Sequence, residues 1–225
     1  QLFRNCGDST FEDISDLVHP NFVIEELSRG AAMGDIDNDG LPDVYLCRDG
    51  RNRLWRQVSR GQWEDVTQSS RSAGEEHDSI DGALFDADHD GDLDIYTVNA
   101  DGPNELFSNN LDGTFRTLAR EHRIDGSPRG SRTVLTLDLD NDRDTDIIVI
   151  NNQPPHAVHI NDRLWSYSDG EGFERFANAP ILDAVAADTN AAGHGSAQPQ
   201  SAFGRVFVPV LSYLPFTICR QQGEK

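Results

Sequence analysis

Repeated four-stranded β-units, the plan of an all-β propeller, are predicted for this chain by three observations. An Asp-rich nonapeptide occurs three times, with starts 51 and 52 residues apart. It reads Asp35-Ile36-Asp37-Asn38-Asp39-Gly40-Leu41-Pro42-Asp43, Asp86-Ala87-Asp88-His89-Asp90-Gly91-Asp92-Leu93-Asp94 and Asp138-Leu139-Asp140-Asn141-Asp142-Arg143-Asp144-Thr145-Asp146. The pairs Leu2-Phe3, Leu54-Trp55, Leu106-Phe107 and Leu164-Trp165 keep a similar interval. Each Leu is followed nine residues on by an aromatic: Phe11, Trp63, Phe115 and Phe173. Between these markers lie short β-branched or aromatic runs bounded by Gly, Asp, Asn or Ser. Four such runs in about 50 residues match the size of one propeller blade.

In the first complete unit the runs are residues 31–34, 44–47, 52–57 and 62–67. Residues 1–15 match only the second half of a unit, so the chain is expected to open mid-blade. Whole blades are expected at about 28–67, 79–119 and 131–177, and a degenerate one begins at 181–196. In that last unit Asp188 to Gly193 keeps a loop outline, with Ser196 in the final ligand position. The repeats thus span 1–195. Residues 196–225 read as a linker around Gln198-Pro199-Gln200 and an apolar run, 205–218, fit to supply one or two closing strands. Residues 16–28 have room for a turn of helix. Half units at both ends leave two expectations open: a piece of a larger propeller, or closure into a four-bladed ring that removes exposed strand edges. Open edges would invite association. No run approaches the ~20 apolar residues that cross a bilayer. The opening Gln1 fits a processed product or a piece of a longer chain.

The 225 residues carry 39 Asp and Glu against 19 Lys and Arg, a formal charge of −20, with only 36% hydrophobic residues. Such a balance normally marks disorder. Here the acids sit in clusters, each followed by an apolar β-branched run, and clustered carboxylates repel unless a cation lies among them. A nucleic-acid partner is excluded by the same field. Cys6, Cys47 and Cys219 form no CxxC pair, and an odd count gives no disulfide framework.

Carboxylates at positions 1, 3 and 5 of a tight loop curl three oxygens round one point, and a backbone carbonyl at 7 with a further carboxylate at 9 completes the shell. Hard oxygens in a flexible cage suit Ca²⁺ better than Mg²⁺. The candidate metal residues are therefore Asp35, Asp37, Asp39, Leu41 and Asp43 in loop one, and Asp86, Asp88, Asp90, Asp92 and Asp94 in loop two. Loop three supplies Asp138, Asp140, Asp142, Asp144 and Asp146. An EF-hand is excluded, since position 12 is Leu46, Thr97 or Val149 rather than a bidentate Glu. The residues after position 9 read as strands, not as an exiting helix.

This DxDxDGxxD loop in a four-strand unit resembles the FG-GAP (VCBS) repeat and is similar to the calcium loops of integrin α-chain propellers. The Leu-aromatic tail resembles the cartilage acidic protein and UnbV-like group more closely. The resemblance implies that each loop joins the first two strands of a blade on one face of the propeller. It implies a secreted, extracellular or periplasmic protein acting in adhesion, matrix contact or carbohydrate-associated roles, through a protein or glycan ligand. It also implies an alternative, the propeller part of a carbohydrate-active lyase or dehydratase. Loop three departs from the pattern with Arg143 in place of Gly, which strains a φ > 0 position and sets a cation near the metal. Loop four has lost two carboxylates and is expected to stay empty.

No catalytic motif accompanies the repeats. His156 and His159 lie near Asp162 but lack a third strong ligand. They are read as part of an insertion at 153–162, which makes the third unit longer and is the expected partner-contact loop. His77, His122 and His194 fall in loops without recurring acid–base neighbours, and His89, at position 4 of loop two, points away from the metal. The recurring aromatics read as packing between blades rather than a sugar-stacking face. The chain is expected to be a calcium-binding interaction module rather than an enzyme.

Overall fold

The structure, a computed structural model, describes residues 3–14, 28–126, 130–181, 184–187, 205–208 and 216–217. The expected fourth loop from Asp188 to Ser196, the linker at 198–200, His194, Cys219 and residues 16–27 lie outside them. The chain opens on a hairpin, β1 (Phe3–Asn5) and β2 (Phe11–Asp13). Three four-stranded sheets follow among the described residues. The first is β3 (Ser28–Gly34), β4 (Asp43–Arg48), β5 (Arg53–Ser59) and β6 (Gln62–Asp65), ending in a single helical turn, α1 (Thr67–Ser70). The second is β7 (Ser79–Phe85), β8 (Asp94–Asn99), β9 (Glu105–Asn109) and β10 (Phe115–Thr117). The third is β11 (Ser131–Leu137), β12 (Asp146–Asn151), β13 (Ala157–Asn161) and β14 (Tyr167–Asp169), followed by α2 (Glu174–Ala177). A three-stranded sheet of β15 (Val185–Ala187), β16 (Arg205–Val208) and β17 (Phe216–Thr217) completes the order.

Strands in each sheet are antiparallel neighbours in chain order, which is the meander of a propeller blade. The first strands of successive blades lie side by side, β3 with β7, β7 with β11 and β11 with β15. The sheets therefore stack face to face around a common inner edge. β4, β8 and β12 are buried at all six positions, and the sheet that holds β8 is flanked by a sheet on each side, which leaves it no wet face. Their side chains alternate between layers. Tyr45 and Cys47 meet Ile95 and Phe107 between blades one and two. Tyr96 and Val98 meet Ile147 and Val149 between two and three. Ile148 and Ile150 join Phe173 and Phe176 on the far side of blade three. Phe107 and Phe115 are buried between blades one and two, as expected of packing between blades, whereas Trp55 and Trp63 are buried against Val44 and Leu46 of their own blade.

The register corrects one marker. Trp55 lies opposite Val44 and Phe107 opposite Ile95, but the residue opposite Ile147 is His159. Trp63 lies opposite Gln57 and Phe115 opposite Asn109, and their counterpart opposite Asn161 is Tyr167. Leu164-Trp165 and Phe173 are thus not the third members of the aromatic series; Val158-His159 and Tyr167 are. Leu164 is exposed, and Trp165 stacks on His122 with ring centroids 5.6 Å apart. On this register Asp146 to Val158 spans the same 12 residues as Asp94 to Leu106. Blade three therefore has no insertion at 153–162, and the partner-contact loop expected there is withdrawn.

His156 occupies the place of a recurring asparagine. The N–H of Arg48 donates to Asn52 Oδ1 and that of Asn99 to Asn104 Oδ1, both at 3.1 Å. The N–H of Asn151 donates to His156 Nδ1 at 3.0 Å. This assigns the proton to Nε2, which donates to the Ala179 carbonyl at 3.0 Å. Burial pushes the His156 pKa down, against the Ala179 bond, so the ring is held neutral. His159 is enclosed on β13, and burial lowers its pKa as well. Among the described cysteines, Cys6 is exposed and Cys47 buried, both free, and burial pushes the Cys47 thiol up to about 12.

His156→Ala should lower unfolding free energy by about 2 kcal/mol, since two buried backbone groups lose their partner. His156→Asn, which keeps the bond to Asn151 alone, should cost about half as much. Denaturant unfolding of the three proteins checks this, and equal stability of all three would contradict the assigned role.

Candidate metal centre

Each Asp-rich loop joins the first and second strands of a blade: β3 to β4, β7 to β8 and β11 to β12. All three fold alike. The position-1 carboxylate accepts the N–H groups of residues 5 and 6: Asp39 and Gly40 on Asp35 (3.0 and 2.8 Å), Asp90 and Gly91 on Asp86 (3.1 and 3.0 Å). Asp142 and Arg143 do the same on Asp138 at 3.2 and 3.1 Å. Position 5 accepts the N–H of position 7 at 2.9, 3.0 and 2.9 Å in turn. Positions 4 and 6 are left-handed, with φ of 58°, 65° and 64° at Asn38, His89 and Asn141 and 85°, 94° and 80° at Gly40, Gly91 and Arg143. Arg143 thus carries a Cβ where glycine is preferred, at a cost of about 1 kcal/mol. Its side chain is exposed.

These turns gather carboxylates. Ligand oxygens of Asp35, Asp37 and Asp39 lie within 4.8 Å of one another, as do those of Asp86, Asp88 and Asp90. In loop three the cluster is Asp138, Asp140 and Asp146, and Asp142 stands outside it. Position 9 otherwise has a different task. Asp43 Oδ2 accepts the Ile36 N–H at 2.9 Å and Oδ1 the Gln57 N–H at 2.8 Å. Asp94 does so with Ala87 and Asn109, at 2.9 and 2.8 Å. Asp146 does so with Leu139 and Asn161, at 2.5 and 2.8 Å. Asp43 and Asp94, expected as ligands, are staples between the loop and the third strand and lie outside the triads. Asp146 is both. At position 7, where a backbone carbonyl is expected, Asp92 and Asp144 direct their side chains to the preceding loop. Asn38 Nδ2 donates to Asp92 Oδ1 at 2.5 Å, and His89 Nδ1 lies 3.3 Å from Asp144 Oδ1.

Burial dominates the electrostatics. It pushes Asp94 and Asp146 up to about 7 against their backbone N–H bonds, and raises Asp43. Burial, then the neighbouring Asp90 and Asp86, raises Asp88, whose Oδ1 is buried without a hydrogen-bond partner. An orphaned carboxylate oxygen inside a triad of hard donors fits a divalent cation. Two arginines that the sequence did not single out stand at the loops. Arg56 pairs with Asp37 through Nε and lies 3.9 Å from Asp39. Arg163 Nε donates to Asp144 at 2.7 Å. Strand alternation on β5, counted from the buried Trp55, would have revealed Arg56; Arg163 was hidden by the mistaken register.

A profile of the FG-GAP-like repeat matches residues 35–97 and 86–149, each match starting at position 1 of a loop. The chain belongs to the FG-GAP-like repeat family. Cartilage acidic protein 1 of Xenopus tropicalis is 32% identical over 127 residues, 55% of this chain and 19% of its own length. The Homo sapiens protein of that name is 31% identical over 128 residues, with the same shares. The chain thus spans about a fifth of the curated relatives it matches. Among solved structures, an Agrocybe aegerita lectin described as recognising non-reducing terminal N-acetylglucosamine aligns with a TM-score of 0.56 and 20% identity. That alignment covers 92% of this chain and 54% of the lectin, and it shows a shared fold.

With a chelator present, stability should rise as pH falls from 8 to 6.5. Asp94 and Asp146 titrate near 7 when folded and near 3.8 when unfolded, so in this window these two acids take up protons only in the folded state. The two acids should contribute about 1.5 kcal/mol in total, and Asp94→Asn should remove half of that contribution. His156 and His159, held neutral in the fold, protonate in the unfolded chain from about pH 7 downward, so they offset part of this gain and the trend weakens further below pH 6.5. Thermal melts across the window check the sign; stability falling from pH 8 to 6.5 would contradict it.

Proposed function

We propose that the chain is a calcium-stabilised propeller module acting outside the cytoplasm in adhesion or another binding role, with a protein or glycan as ligand. The observation that carries this reading is the triad of carboxylate oxygens repeated in three loops at the same place in successive blades. Millimolar extracellular Ca²⁺ fills even weak oxygen cages. The acidity in the relatives' name and the charge of −20 agree with that setting. The lectin's recognition of terminal N-acetylglucosamine supports a glycan as one class of ligand. Among the described residues no helix is long and apolar enough to cross a membrane. The lyase or dehydratase alternative gains no observation, since His156 bonds to the blade backbone and His159 is enclosed in it.

On this reading the loop triads supply monodentate carboxylates, position 7 a carbonyl, and the metal ties the first two strands of a blade together. A site with a Kd near ~0.1 mM stabilises the fold by about 1.4 kcal/mol at ~1 mM free Ca²⁺. Several such sites should raise the melting temperature by several degrees, reversibly with chelator. Coincident melts in chelator and in calcium would refute the reading. Asp88→Ala should remove one bound ion in isothermal titration.

The loops should differ in strength. Arg56 competes with a cation at loop one, whereas the matching position at loop two is the uncharged Ser108. Arg56→Ser should tighten the loop-one site by about threefold, the scale of an exposed ion pair. Calcium titration of the variant checks this, and unchanged or weaker binding at loop one would show that Arg56 does not oppose the metal.

A further inference from the structure

Neighbouring blades meet at two equivalent joints whose outer clefts are filled differently. Between blades two and three, Asp144 is only 2% exposed, and Arg163 covers it. Arg163 Nε donates to Asp144 Oδ2 at 2.7 Å, and a terminal nitrogen donates to the Asp142 carbonyl at 3.2 Å. Asp92 is the same residue one repeat earlier. It holds position 7 of its loop, is 5% exposed, and meets position 4 of the preceding loop through Asn38, as Asp144 meets His89.

Leu111 stands where Arg163 stands. Both lie two residues after a strand-ending asparagine and donate their N–H to its Oδ1 at 3.1 Å, Leu111 to Asn109 and Arg163 to Asn161. Both are left-handed, with φ of 62° and 72°. Both asparagines donate Nδ2 to a carbonyl of the preceding blade at 2.9 Å, Ile36 in one case and Ala87 in the other. The two backbones therefore agree, and the side chains do not. In place of a guanidinium, a cleft of about 310 Å³ opens between blades one and two, with Asp92, Leu54, Val66, Leu111 and Phe115 on its wall. Arg56 also borders the cleft but is turned onto Asp37 and Asp39.

We propose that this cleft receives an arginine side chain presented by a partner polypeptide. The guanidinium takes the position that Arg163 fills at the next joint, against Asp92 and the Asp90 carbonyl, while the methylene stem lies along Leu54, Val66, Leu111 and Phe115. The fork matters, because Arg163 uses two different nitrogens for a carboxylate and a carbonyl, a pattern an ammonium reproduces poorly. The strongly negative surface draws a cationic segment in. Asp92 belongs to no triad, but the triad member Asp37 also lines the cleft, so the test is run both in calcium and in chelator to separate this site from the metal reading.

The test is a titration of the ¹⁵N-labelled chain with the capped tripeptide acetyl-Gly-Arg-Gly-amide and its citrulline and lysine counterparts, in calcium and in chelator. The arginine peptide should shift the amide signals of Asn38, Asp92 and Leu111, the citrulline peptide should not, and lysine should bind more weakly. Asp92→Asn should weaken the arginine peptide by about tenfold, the scale of a lost charge-assisted pair. Leu111→Arg should build the blade-three pair into blade two, abolishing peptide binding and raising the melting temperature even if Asp92→Asn folds poorly. Equal binding of arginine and citrulline or of arginine and lysine, or unaltered binding in Leu111→Arg, would overturn the proposal. So would binding lost in calcium but restored by Arg56→Ser, which would make Arg56 the cleft's own occupant.

Discussion

Asp43, Asp94 and Asp146 each spread one buried carboxylate over two backbone N–H groups that the chain brings from different places. One belongs to the second residue of the Asp-rich loop and the other to the end of the third strand. Hydrogen bonds to an ionised acceptor contribute about 1.5–3 kcal/mol each, and burying the charge offsets much of that. The elevated titration of Asp94 and Asp146 reflects that opposition. What results is register more than net stability. The staple fixes where the second strand starts, how far the third runs, and where the loop between the first two must turn back.

The triads follow from that fixed frame. Eight residues must leave the first strand and return to the stapled acid, and they do so by placing positions 4 and 6 in the left-handed region. The position-1 carboxylate holds the turn from within by accepting two N–H groups. Carboxylates at 3 and 5 are then carried inward by backbone geometry that other residues have already set. Loop three shows how far this is separable from sequence identity. Arg143 adopts the glycine conformation at 80°, and the loop keeps its hydrogen bonds, yet its cluster draws on Asp146 in place of Asp142.

Much of the blade plan was legible in the sequence, because the loop motif repeats with little drift and strands of period two need only short apolar runs. In blade one the runs read at 31–34, 44–47, 52–57 and 62–67 overlap β3, β4, β5 and β6 in turn. The third aromatic marker misled for a physical reason. Burial between two sheets selects for size and shape, and His159 and Tyr167 satisfy it as Trp55 and Trp63 do, whereas Leu164-Trp165 copied the letters in an outer turn. His156 was misread likewise, since an imidazole and an amide present the same acceptor to a strand end. Contacts across joints, such as Asn38 with Asp92, were not legible: nothing local in the sequence says which residue a repeat later will face a given side chain.

Those joints have an implication for how such chains change in length. Asn109 grips Ile36 and Asn161 grips Ala87, while Asn38 and His89 each meet the acid at position 7 of the following loop. The two described joints between four-stranded blades place these grips at the same offsets, with Asn or His at position 4 and an acid at position 7. Duplicating or excising one whole period would leave each new neighbour with a matching grip, whereas gaining or losing a few residues inside a period would displace one half of a joint from the other. Length in this architecture is therefore quantised, and blade number can vary while the shape of each blade stays constant.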